Sequence, residues 1–335
     1  MLAEILNRTL ENSQIKEALF SSSKFVFDFW PTGLCDMECP FCYGALVPKI
    51  VQSSKVKLYQ PSNETVSITG DSDPRPEMSF DQVCDVLKKL HNSGGEIITI
   101  AGGEPLLRPE TPDIINFAKN ELGMAVYLST DGTYVARYYG KFSRNIDVLG
   151  LPLDGSNIEI NIKMGRRPYL LKNITQILEY FKMSPPDHKV KIGTVVSRKN
   201  IDDIVEIGRF LFNNLSIRTP NVWRLYQFES IGRGLQYAKD YIVSDDEFDS
   251  VCSELENEFP NVDLRPRTNQ DHNNAYFFVT PDGMLQTVEK NGHVSIADLL
   301  RLDEKQISMT ISNRIETIKR ANKNRDWLAF NLNKI

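Results

Sequence analysis

The feature that most constrains the fold is a repeated alternation of short apolar runs with amphipathic segments. Runs of strand character occupy 24–30, 96–101, 124–129, 146–151, 189–196 and 221–228. Between them, segments at 80–92, 111 onward, 131–142, 170–183 and 201–214 carry apolar residues at helical spacing, as in Val83, Val86, Leu87 and Leu90. Several helix starts are marked. Ser79 with Gln82, and Ser244 with Glu247, make capping boxes; Thr111 caps a helix whose first residue is Pro112. Strand–helix alternation with crossovers of this length demands parallel strands joined by right-handed connections. The fold class is therefore α/β, a partial (β/α)6 barrel over 24–230 with a C-terminal α+β extension. In such folds the chemistry sits at the C-terminal ends of the strands.

The flanking regions read differently. Residues 1–23 contain an N-terminal helix over 3–19. Residues 45–78 are rich in Pro, Ser, Asp and Lys and break the rhythm, so they read as an insertion, either an active-site lid or a surface loop. Residues 231–335 read as a capping or substrate region: a helix from Ser244, a hairpin at 276–287 turning at Pro281-Asp282-Gly283, and a charged helix near 310–323. Arg265, Arg267, Asn273 and Tyr276 in this region read either as substrate contacts or, by preference, as polar surface.

A net charge of −5 gives no field that would attract a phosphate backbone, which argues against nucleic acid as a general partner. No apolar run is long enough to span a bilayer, and MLAEILNRTLENS has no signal-peptide core, so the chain reads as cytoplasmic without membrane partners. Of five cysteines, three fall within eight residues. An odd, clustered set reads as a metal site in a reducing compartment rather than a disulfide framework. Cys84 and Cys252 stand on apolar helix faces and read as core thiols.

The cluster is LCDMECPFCYG, with Cys35, Cys39 and Cys42. Three thiolates on a short loop can hold three irons of a [4Fe–4S] cuboid and leave the fourth open to a chelating ligand. Zinc is the rival reading. It wants a fourth protein ligand, and His91, the nearest histidine, is far along the chain.

CDMECPFC followed by Tyr43 resembles the CxxxCxxC signature of the radical S-adenosylmethionine (SAM) family. The resemblance extends over about 24–230 and implies a [4Fe–4S] cluster on the three cysteines, with SAM as cofactor. It gives the AGGEP turn, with Gly102, Gly103 and Glu104, the SAM amino group. Ser129 resembles the polar residue that reaches the SAM ribose or carboxylate, and Asp131 stands where many members have Asn. Asp154 ends strand 146–151, and Arg166 is similar in placement to an arginine that pairs with the SAM carboxylate, with Arg167 as an outside candidate. Val195 and Val196 resemble the apolar strand end that packs on adenine. The implied chemistry is one-electron cleavage of SAM to a hydrogen-abstracting 5′-deoxyadenosyl radical, fed by flavodoxin or ferredoxin.

For the substrate, strand alternation turns Lys191, and with it Arg224 and Tyr226 of the next strand, into the barrel. Inward cations suit a small anionic substrate. KIGTVVSRKN and WRLYQF resemble strands of viperin-like members, which hold a nucleoside triphosphate, although Gly193 replaces a polar residue there. GLPLDG and LYQF resemble a looser group that modifies nucleosides or sugars, cytosylglucuronate decarboxylase among them. The expectation is a small nucleoside, nucleotide or sugar derivative. The alternatives are epimerisation or cross-linking of a ribosomally made peptide and, last, a non-enzymatic zinc-stabilised binding protein.

Overall fold

The computed structural model describes residues 25–43, 76–214, 221–269, 277–289 and 292–321. The expected N-terminal helix, most of the 45–78 insertion, Asn273 and Tyr276 lie outside them. Six strands run parallel in chain order: β1 (Phe25–Phe29), β2 (Gly95–Ile100), β3 (Ala125–Ser129), β4 (Val148–Pro152), β5 (Lys189–Val196) and β6 (Val222–Gln227). The crossovers carry α1 (Phe80–Asn92), α2 (Thr111–Asn116), α3 (Val135–Phe142), α4 (Ile158–Met164), α5 (Leu170–Met183) and α6 (Ile204–Gly208). The architecture is the expected α/β partial barrel.

Strand alternation decides which residues meet the helices. On β5, Val190, Ile192, Thr194 and Val196 are fully buried, while Lys191, Gly193 and Val195 on the other face are half-buried. Val190, Ile192 and Val196 join the main apolar core under the helices. Each such side chain contributes about 1.5–3 kcal/mol by burial. A one-residue slip would drive Lys191 into that core, so the register is strongly specified. Thr194 is tolerated there because its hydroxyl donates to the Leu153 carbonyl at 2.6 Å and accepts from the Trp223 indole at 2.9 Å. On the inner face, Ile97, Tyr127 and Val148, with Val26 and Ala125, form a separate apolar plug.

The last third of the chain extends the sheet on both edges. After α7 (Gly234–Tyr241) and α8 (Asp245–Glu258), β7 (Leu264–Arg267) adds parallel to β6. At the opposite edge β8 (Phe277–Val279) adds parallel to β1, and β9 (Met284–Glu289) and β10 (Gly292–Asp298) follow antiparallel. The final helix α9 (Glu304–Ala321) returns to pack on α1.

Both capping boxes are formed. Thr111 is a correction: it is the first residue of α2, and its buried hydroxyl donates to the Pro105 carbonyl at 2.5 Å instead of capping the helix. The preceding turn folds back beneath α2 and takes that hydroxyl. The helix expected over 201–214 is divided into a 3-10 turn, α6 and a wider π turn at Arg209–Asn214. Cys252 is buried in the core, whereas Cys84 sits half-buried at the margin of the α1 stripe. Arg267 is not surface: it is 6% exposed, on β7, paired in register with Tyr226.

Candidate active site

The three cysteines lie on the loop that leaves the C-terminal end of β1, and the turn after β2 packs directly on it. The Glu104 amide donates to the Leu34 carbonyl at 2.8 Å and that of Gly103 to Thr32 at 3.4 Å. A Cβ on Gly103 would stand 2.0 Å from the Leu34 oxygen. The glycine is therefore required by the approach of the cysteine loop itself. Glu77 secures the same loop, accepting from the Thr32 hydroxyl at 2.7 Å and the Gly33 amide at 2.9 Å.

Glu104 is 1% exposed. Its carboxyl accepts from the Leu106 amide (3.0 Å), the Thr130 hydroxyl (2.8 Å) and the Asp131 amide (2.8 Å), tying the end of β2 to the end of β3. Burial, and then Asp131, push its pKa well up, against the three donors. Asp131 accepts the Thr133 amide on one oxygen, at 2.7 Å. Its other oxygen, Oδ2, and Oδ1 of Asp36 are buried without a hydrogen-bond donor among the described residues. The two carboxyls interact, and burial followed by Asp131 raises Asp36 to about 7. Ser129 shares the inward face with Ala125 and Tyr127. Thr130 and Asp36 escaped the sequence reading because neither carries a local signal; each acquires its partner from the end of another strand.

Asp154, fully buried at the end of β4, joins three elements. Its Oδ1 accepts from the Val195 amide at 2.8 Å, its Oδ2 from Arg166 Nε at 2.7 Å, and its backbone carbonyl from Asn200 at 2.9 Å. Arg166 Nη1 reaches Cys39 Sγ at 3.2 Å, and the guanidinium lies 4.8 Å from the Phe41 ring centroid. Burial opposes the charge on Arg166, but Cys39 and Asp154 outweigh it and hold its pKa above the ordinary arginine value. Arg167 is exposed and makes a long contact of 3.4 Å to the Asp36 carbonyl. Hydrogen bonds thus tie the segments at the carboxyl ends of β1 to β5 to one another beside the cysteines.

Further inside the barrel lie the inward residues of β5 to β7. Lys191 pairs in register with Gly150, Arg224 with Arg265, and Tyr226 with Arg267. Asp28 on β1 faces this group: burial raises it to about 6, while Thr99, Lys191 and Arg267 act to lower it. Tyr43, on the cysteine loop, is 41% exposed and lies beside Asp28, Cys42, Tyr226 and Arg267. Tyr43 therefore links the cysteine loop to the cationic interior. Asp28 was missed in the sequence because FVFDF reads first as an apolar run, and Arg267 was named there with polar surface as the preferred reading.

The sequence pattern of the radical SAM superfamily matches residues 31–211, just over half of the chain. The chain belongs to the radical SAM superfamily. Two relatives named S-adenosylmethionine-dependent nucleotide dehydratase are similar to this radical SAM chain. One, from Lacinutrix mariniflava, is 24% identical over 285 residues, covering 84% of this chain and 53% of that protein. The other, from Flammeovirga pacifica, is 25% identical over 283 residues, covering 81% and 84%. The chain thus spans about half the length of the first and most of the second. In fold it is similar to Streptococcus suis SuiB solved with S-adenosylmethionine, with a TM-score of 0.54, 15% identity and coverage of 83% of this chain and 64% of that one.

The residues present fit the family's two cofactors. Cys35, Cys39 and Cys42 are all free thiols and lie close enough to interact electrostatically. Burial raises the pKa of Cys35 and Cys39, and metal coordination is what deprotonates such thiols. Among the described residues no three His, Cys, Asp or Glu side chains are placed to hold a single metal ion. A cuboid is wider than one ion and is met by thiols set further apart. The orphaned oxygens of Asp36 and Asp131 suit the cationic and hydroxyl groups of SAM. Membership of an enzyme superfamily overturns the zinc-scaffold alternative. No helix among the described residues is long and apolar enough to cross a membrane.

Proposed function

We propose that this radical SAM enzyme acts on a small anionic substrate of the nucleotide class, bound inside the barrel below the cysteine loop. The observation that carries the reading is the set of inward cations on three adjacent strands, Lys191, Arg224 and Arg267, grouped around Tyr226. Cations enclosed by a barrel wall attract phosphate or carboxylate far more strongly than surface ones do, because water screens them less. The names of the two dehydratase relatives support a nucleotide.

When bound, the cluster and SAM supply one-electron cleavage to a 5′-deoxyadenosyl radical that abstracts hydrogen. The chain's own groups position the partners. Cys35, Cys39 and Cys42 hold three irons; Asp36 and Asp131 offer acceptors to SAM hydroxyl and ammonium groups; Arg166 offers a donor to its carboxylate; and Val195 lines the adenine side. Glu104 holds the turn that carries Gly102 and Gly103, and Ser129 adds an inward hydroxyl. Flavodoxin or ferredoxin is the reductant, and a reducing cytoplasm fits the five free thiols.

The test is anaerobic. The protein is reconstituted with iron and sulfide, reduced, given SAM, and assayed for 5′-deoxyadenosine with each ribonucleoside triphosphate in turn and with a candidate precursor peptide. One nucleotide is expected to raise the yield above the uncoupled rate, and a Cys35/Cys39/Cys42→Ala triple variant to abolish it. Stimulation by a peptide and by no nucleotide would replace this reading with the peptide one.

A further inference from the structure

The anion site contains a pair of residues whose fit to each other explains an otherwise empty position. Gly193 on β5 faces into the barrel next to β6, and a Cβ there would lie 3.2 Å from Cε2 of Tyr226. That is closer than the ring tolerates without moving. With no side chain at 193, the Tyr226 ring approaches β5, and its hydroxyl lies within electrostatic reach of the Lys191 ammonium. Arg224 from β6 itself, Arg267 from β7 and the Tyr43 phenol from the cysteine loop face the same hydroxyl.

We propose that Tyr226 determines specificity at this site: its phenol donates to the same substrate oxyanion that Lys191 neutralises, and Gly193 is glycine so that the ring can lie there. The inference rests on the anionic-substrate reading above. A phenol beside an ammonium supplies a directed donor that an ammonium alone lacks, and so favours a tetrahedral phosphate oxygen held at one angle.

The ionisation of the phenol gives the idea its signature. Burial works to raise its pKa, but Lys191, Arg224 and Arg267 outweigh burial and lower it below the ordinary tyrosine value. A neutral phenol donates to an oxyanion; a phenolate cannot donate and repels it. Anion affinity therefore falls as pH rises through the lowered value, and phenylalanine at 226 removes that limb.

The experiment is equilibrium binding of inorganic triphosphate and of the four ribonucleoside triphosphates to the reconstituted, SAM-loaded enzyme, near pH 7 and near pH 9. Tyr226→Phe keeps the ring and its packing. It is expected to weaken triphosphate binding about tenfold near pH 7 and to flatten the alkaline decline, with SAM affinity and thermal midpoint unchanged. Gly193→Ala is expected to weaken binding in the parent enzyme and to add little in the Tyr226→Phe background, because the two residues act as one. Parent-like affinity and pH dependence in Tyr226→Phe would overturn the inference and leave the anionic reading standing. A parent enzyme that binds SAM but no triphosphate in any form would overturn the anionic reading, and this inference with it.

Discussion

Arg166 Nη1 donates to Cys39 Sγ at 3.2 Å while its Nε is held by the buried carboxylate of Asp154 at 2.7 Å. One guanidinium thus connects the Cys39 sulfur to the end of β4, over 127 residues of chain. A hydrogen bond to a ligating sulfur stabilises the more negative, reduced cluster and raises its potential. Arg166→Lys keeps the charge but cannot span both partners. The expected result is a reduction potential more negative by on the order of tens of millivolts, read by a redox titration followed by electron paramagnetic resonance. An unchanged potential would remove Arg166 from the cluster environment.

Glu104 holds the turn after β2 to the end of β3 through three accepted hydrogen bonds. Glu104→Ala leaves those buried donors unpaired, at a cost on the order of 3 kcal/mol. The variant is expected to retain iron, to unfold at lower denaturant, and to bind SAM more weakly because the Gly102–Gly103 turn loosens. Iron content, a urea curve and a SAM titration separate the three outcomes; unchanged SAM affinity would leave Glu104 with a purely architectural part.

Asp28 makes the substrate-free protein sensitive to pH. Burial raises its carboxyl from 3.8 to about 6, despite Thr99, Lys191 and Arg267. Because the folded pKa lies above the unfolded one, the folded state holds the extra proton. Stability is fully present below about pH 4 and is lost as pH rises through about 6, by up to about 3 kcal/mol. Asp28→Asn removes the ionisation. It is expected to be more stable than the parent near pH 7 and to converge with it near pH 4, as measured by denaturant unfolding. A difference independent of pH would place the effect in packing instead.

Much of the site was readable because its signals are local. The spacing of Cys35, Cys39 and Cys42 lies within eight residues, and the inward direction of Lys191 follows from an alternation that β5 displays along its own length. FVFDF carried the same kind of signal: Asp28 alternates with Phe27 and Phe29, but an almost unbroken apolar run hid the one polar inward residue. Gly103 was marked for close approach, though what approaches is the Leu34 carbonyl.

The order of strands and helices, the faces of each strand and the gathering of three cysteines on one short loop follow from the sequence, since these depend on periods of a few residues and on hydrophobic burial. Only the tertiary structure decided that Thr130 pairs with Glu104, that Asp36 meets Asp131, that Arg166 touches Cys39, and that β7 brings Arg267 to Tyr226. Those relationships join residues brought together by the order and curvature of the strands. Their energies come from desolvation and charge at distances that no local pattern encodes.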